Sequence, residues 1–134
     1  MSLQALAEAQ LVAMLESNIG ELSARSGAVP LSLIDGGGRH ASVRQVSASA
    51  ERLAFAQSQW TEVYAVTIFW PATIDRADRI TEWEAFRDAL LADADLGAAV
   101  EGLIDAYASE YEWGDAADGS VSTLSASITT VRIE

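Results

Sequence analysis

The chain has one histidine, His40, and neither cysteine nor lysine, so the residue types that most often do chemistry are nearly absent. A Ser/His/Asp arrangement would have to combine His40 with Asp35 and a serine, but nothing in the surrounding sequence marks such a set, and a solvated loop histidine is the simpler reading. Gly36-Gly37-Gly38 offers backbone amides to a phosphate; no GxGxxG follows, however, and a P-loop needs a lysine. Asp93, Asp95 and Gly97 partly match a calcium loop. The glycine falls one place early, and Ile104 stands where a bidentate glutamate would close the site. Glu82 and Glu84 diverge if they lie on a helix, whereas Glu110 and Glu112 share a face if they lie on a strand, where a solvated acidic face is the plain expectation. No catalytic, cofactor-binding or metal-ligating residue is assigned, and the chain is not expected to be an enzyme.

Charge is the more informative feature. The formal net charge is −12 over 134 residues, which repels nucleic-acid phosphates and anionic membranes. Between Gly36 and Gln59, Arg39, Arg44 and Arg52 face only Glu51, a local +2 that leaves −14 for the remainder. From Asp93 to Asp118 the charged residues are all acidic: Asp93, Asp95, Glu101, Asp105, Glu110, Glu112, Asp115 and Asp118. A basic and an acidic stretch thus sit on one chain. The basic residues are all arginine, which fits a GC-rich genome or an acidic protein adapted to high salt. No basic residue precedes Arg25, and the longest apolar run, Val63 to Trp70, is far short of the ~20 residues that span a bilayer; a soluble chain without a signal peptide is expected.

The elements that must position these charges follow from periodicity. Ser2 is a candidate N-cap for a helix whose apolar positions are Leu3, Leu6, Leu11, Met14, Leu15, Ile19 and Leu22, ended by Gly27 and Pro30. Leu31 to Ile34 predicts a short strand, broken by the turn Asp35 to Gly38. Ala41 to Gln59 fits two exposed arms of a hairpin, with a short helix over Ala48 to Ala56 as the competing reading. Trp60 to Trp70 is rich in β-branched and aromatic residues and predicts the central strand, stopped by Pro71. Asp75 can cap a second helix with Ile80, Trp83, Phe86, Arg87, Leu90 and Leu91 on one face. Leu96, Gly97 and Val100 close a turn, and Leu103 to Trp113 with Val121 to Ile133 predict a terminal hairpin across Gly114 to Gly119. The expectation is a single α+β domain over residues 1–134, with an antiparallel-rich mixed sheet of four to five strands covered by two main helices. Trp60, Tyr64, Trp70, Tyr107, Tyr111 and Trp113 are numerous enough to line a ligand cavity, but core or interface packing is their more ordinary use.

The stretch VYAVTIFW, the helix DRADRITEWEAFRDALLADADLGAAV, and then EGLIDAYASEYEW and VSTLSASITTVRI resemble the tail-terminator or tail-completion proteins of long-tailed phages. In that family a central strand leads to an amphipathic helix, a leucine-glycine turn with a downstream valine, and a closing hairpin. The likeness covers the second half of the chain, and the first half by element order alone. Ala98 stands where many relatives carry a second glycine.

The resemblance implies a ring, six-membered in the family's usual form. Such a ring sits on the last tail-tube ring, stops polymerisation and presents a surface to a head-side stopper or connector protein. It implies a place in the virion, at the tail-neck junction, after assembly in the host cytoplasm, and carries over no catalytic residue; from the residues and charge alone, no cofactor and no membrane partner are expected. The charge split fits a ring on its own physical terms, because a repeating head-to-tail contact needs two different complementary patches on each subunit. Candidate interface residues are Arg39, Arg44, Arg52, Trp60, Glu110, Glu112, Asp115 and Asp118. DNA passing through an acidic lumen is expected not to bind specifically. The competing readings are another neck protein, a stopper or adaptor, and a small-ligand-binding α+β domain.

Overall fold

In a computed structural model the described residues are 3–93, 96, 102–115 and 119–134. Eight elements follow in order: α1 (Leu3–Asn18), β1 (Leu22–Ser26), α2 (Leu31–Asp35), β2 (Arg39–Ala54), β3 (Gln57–Pro71), α3 (Arg76–Ala92), β4 (Leu103–Asp115) and β5 (Val121–Ile133). The strands form one sheet in the order β1-β2-β3-β5-β4. Only β1 and β2 pair in parallel; the other three pairings are antiparallel, so the sheet is mixed and the fold is α+β. The central position of β3 is what its alternation demands. Glu62, Tyr64, Val66, Ile68 and Trp70 are all buried on one face, the face that α1 and α3 cover.

That face holds the core. Leu11, Leu15 and Ile19 from the α1 region, Trp83, Phe86 and Leu90 from α3, and Leu124 and Ile128 from β5 are fully buried with the β3 row. Burying side chains of this size contributes roughly 2 kcal/mol each, which is why the helix faces carrying them cannot remain in solvent. Among the described residues, no helix is long and apolar enough to cross a membrane.

The first forty residues depart from the periodic reading. α1 stops at Asn18, whose side-chain amide donates to the carbonyl of Met14 at 2.8 Å, and Glu21 turns the chain with a left-handed φ of 61°. Leu22, which continues the helical spacing, instead opens β1 and is buried there. Spacing alone does not separate a buried strand residue from one more turn of helix. Leu31–Asp35 is a short helix and not a strand, begun by Pro30 in an extended conformation whose carbonyl accepts from the amides of Leu33 and Ile34. Leu31 is 70% exposed, so no sheet burial opposes the local hydrogen bonds. Gly37 and Gly38 then supply the positive φ angles of the expected turn.

Ala41 to Gln59 holds no helix, but it does not hold both arms of a hairpin either: residues 41–54 form one arm, β2, and the central strand β3 is the other, turning at Phe55 and Ala56 with Ala54 opposite Gln57, and Ala41 and Val43 are buried in the core. The second helix and the terminal hairpin stand where the periodicity puts them, with one exception on α3: Leu91 is 62% exposed while Leu90 is fully buried. Asp75 precedes α3 in extended conformation but makes no side-chain capping hydrogen bond. Ser2, Asp95, Gly97, Ala98, Val100, Glu101 and Asp118 lie outside the described residues.

Candidate interaction surface

The strand register says what the face of the sheet turned away from α1 and α3 carries. Arg44 on β2 lies opposite Ala65 on β3, Ala65 opposite Ser127 on β5, and Ser127 opposite Glu110 on β4. One step along, Ser42, Thr67, Ser125 and Glu112 form a parallel row. Each row therefore ends on an acidic residue at the β4 edge, and the first begins on an arginine at β2. Small side chains over β5 leave a hollow of about 420 Å³, lined by Ala65, Thr67, Ser125 and Ser127 with Glu110 and Glu112 along one side. It is an open trough.

Both flanks are strand edges. β1 pairs with Arg39 to Val43 only, so from Arg44 onward the side of β2 away from β3 has no strand on it among the described residues; β4 is the opposite edge. Edge strands expose unpaired backbone groups and are either covered or protected by charge. Here β2 carries Arg44 and Arg52, and β4 carries Asp105, Glu110, Glu112 and Asp115. The two charge stretches of the sequence are thus placed on opposite sides of one sheet. Asp115 also accepts a 2.8 Å hydrogen bond from the hydroxyl of Ser122.

Arg39 occupies a different setting. It lies on the helix-covered side, where Nε donates to Glu82 Oε1 at 2.7 Å and Nη2 donates to Oε2 at 3.0 Å. Hydrogen bonding to Glu82, opposed by partial burial and reinforced by the charges of Glu82, Glu21 and Asp78, holds its pKa above the ordinary arginine value. Its guanidinium is engaged within the subunit. Arg52 is exposed near the hairpin tip, and Trp60 is half-buried under the guanidinium of Arg132, 5.2 Å from the ring centre.

Periodicity did not single out the pair Glu62 and Arg132, which is buried in the sheet with Arg132 Nε donating to Glu62 Oε1 at 2.5 Å. Burial alone would lower the arginine pKa; the hydrogen bond and charge of Glu62 outweigh it and the net direction is upward. A signal was present in the alternation. Glu62 shares the inward parity of Tyr64 and Val66, and Arg132 that of Ile128 and Thr130.

The aromatic residues are mostly spent in packing. Tyr64 and Trp70 are fully buried, Trp70 stacks on Trp113 at 5.8 Å, and Tyr111 tilts against Trp83 at 5.4 Å. His40 reaches the carbonyl oxygen of Gly37 at 3.1 Å. Among the described residues no three His, Cys, Asp or Glu side chains converge as a metal site would require. The chemical capacity of the arrangement is ionic and steric complementarity, which is what a protein contact uses.

No family model and no curated protein matches this sequence. Among solved structures, a chain from the virion of a native gene transfer agent particle is similar over 98% of this chain and 89% of its own, at 12% identity and a TM-score of 0.46. A likeness of that size carries no argument about function.

Proposed function

We propose that this chain is a virion structural protein of the tail-terminator kind, closing with copies of itself into a ring that caps a tail tube and meets the head-side stopper or connector. The observation that carries the reading is the placement of basic residues on the β2 edge and acidic residues on the β4 edge of the same sheet. A closed ring of identical subunits uses a heterologous contact, in which one patch of each subunit meets a different patch of the next. Opposite charge on opposite edges satisfies that requirement, whereas a two-fold dimer would set each patch against its own copy.

The resemblance of the second half of the chain to tail terminators supplies the rest of the reading: six subunits, a tail-tube protein below, a connector above, and a place at the tail-neck junction. The net charge of −12 suits a lumen through which DNA moves without adhering. Complementary charge chiefly sets orientation and encounter rate, so the contact is expected to weaken with salt.

The test is the native mass of the purified protein, alone and with tail-tube protein, by light scattering and electron microscopy at low and high salt. A closed ring is expected, and Arg44→Glu should weaken it most at low salt. A chain that stays single at high concentration and beside its tube protein would end the proposal. Duplex-DNA binding that survives physiological salt would contradict the non-adhesive lumen.

A further inference from the structure

Phe55 at the turn of the β2–β3 hairpin is 91% exposed, and Leu53 beside it is half-exposed. A phenylalanine in water at the tip of a hairpin forgoes the burial its ring favours, and among the described residues its own subunit leaves it uncovered. Three residues before it stands Arg52, exposed and without an ion-pair partner among the described residues. The tip is thus apolar at its end and cationic at its shoulder.

The trough over β5 has the reverse character. Its floor is Ala65, Thr67, Ser125 and Ser127, small enough to leave space, and Glu110 and Glu112 stand exposed along its β4 side. The span from β3 to β4 across β5 is two strand spacings, about 10 Å, wide enough to admit an aromatic ring with an arginine beside it. Among the described residues neither carboxylate has an ion-pair partner within the subunit.

We infer that the hairpin tip of one copy seats in the β3–β5–β4 trough of the next, with Phe55 on the small-residue floor and Arg52 against Glu110 and Glu112. The occupant is a second copy because tip and trough are complementary in charge and in shape and belong to one chain. They lie on different parts of it, so each subunit gives one contact and receives another. This rests on the ring reading and specifies its contact; it also explains why a strained non-glycine turn, with Ala56 at φ 59°, carries the most exposed large apolar side chain among the described residues.

The experiment uses three full-length variants, Phe55→Ser, Arg52→Glu and Glu112→Arg, with mass read by light scattering and folding checked by thermal unfolding. All three positions are exposed, so wild-type unfolding of the dissociated chain is expected. Phe55→Ser should raise the concentration needed for assembly by about tenfold or more, as loss of a central aromatic anchor does. Arg52→Glu and Glu112→Arg should each fail to assemble alone yet assemble when mixed, since an alternating arrangement then pairs opposite charges at every contact. A wild-type oligomer indifferent to all three changes, or a mixture that stays apart, overturns this contact and leaves the ring standing. A wild-type chain that never assembles, alone or with tube protein, removes the ring and this contact with it.

Discussion

Arg39 on β2 grips Glu82 on α3 with two hydrogen bonds, at 2.7 and 3.0 Å, across 43 positions of sequence. Glu82 Oε1 also accepts the indole N–H of Trp70 at 3.0 Å, so one carboxylate ties the start of β2 and the end of β3 to the helix above them. Both ion-pair side chains are more than four-fifths buried, which makes the loss of one partner costly to the other. Glu82→Ala is expected to destabilise the subunit by about 2–4 kcal/mol, read from urea unfolding by tryptophan fluorescence. Glu82→Gln, which keeps an acceptor for Trp70, should cost less. An Arg39→Ala variant should lower stability without the loss of assembly expected of Arg44→Glu.

Tyr64 makes stability sensitive to alkali. Its phenol is fully buried, and burial together with the carboxylate charges of Glu62 and Glu8 pushes its pKa well above the ordinary 10.0. The folded state therefore holds a proton that the unfolded chain releases. Its contribution is fully present below pH 10 and is lost as pH rises from there toward the folded-state value. Wild-type unfolding midpoints should fall more steeply between about pH 10 and 12 than those of Tyr64→Phe; parallel slopes would contradict this.

How much of this was legible in the sequence depends on where each element's identity is decided. β3 announces itself through alternation, because Tyr64, Val66, Ile68 and Trp70 stand at every second position, and β5 does so more weakly, through Leu124, Ile128 and Thr130 on one parity. α3 does so through Trp83, Phe86 and Leu90. β1 does not, since it has five residues and its strand character comes from parallel pairing with residues 39–43. Leu31 to Ile34 is apolar enough for a strand, yet no neighbour is placed to pair with it and the local bonds to Pro30 decide. The candidate site was half readable. Arg44, Glu110 and Glu112 stand out as charges, but the trough between them exists because β5 inserts between β3 and β4, a strand order that spacing does not encode. The partner of Arg39 was hidden for the same reason.

Gly102 should be intolerant of any side chain. Its φ is +79°, and a Cβ there would collide with the backbone carbonyl oxygen of Ile133, whose amide donates to the Gly102 carbonyl at 2.9 Å. Gly102→Ala is expected to cost about 2 kcal/mol or more, since backbone strain adds to displacement of the β5 end. Gly119 has a similar φ of +72° with open space around it, so Gly119→Ala should cost only about 1 kcal/mol. Equal losses in denaturant melts would show that crowding against Ile133 plays no part.

The two large buried indoles separate packing from hydrogen bonding. Trp70 and Trp83 are both fully buried, but Trp70 Nε1 donates to Glu82 while Trp83 Nε1 is buried without a partner among the described residues. Replacing either by phenylalanine removes a similar volume. At Trp83 the change also removes an unsatisfied donor, which offsets part of the cavity cost; at Trp70 it deletes a hydrogen bond to a charged acceptor. Trp70→Phe is therefore expected to destabilise by about 1 kcal/mol more than Trp83→Phe in urea unfolding. The reverse order would mean that the tilted packing of Trp83 against Tyr111 and Phe86, at 5.4 and 5.8 Å between ring centres, outweighs the hydrogen bond that joins β3 to α3.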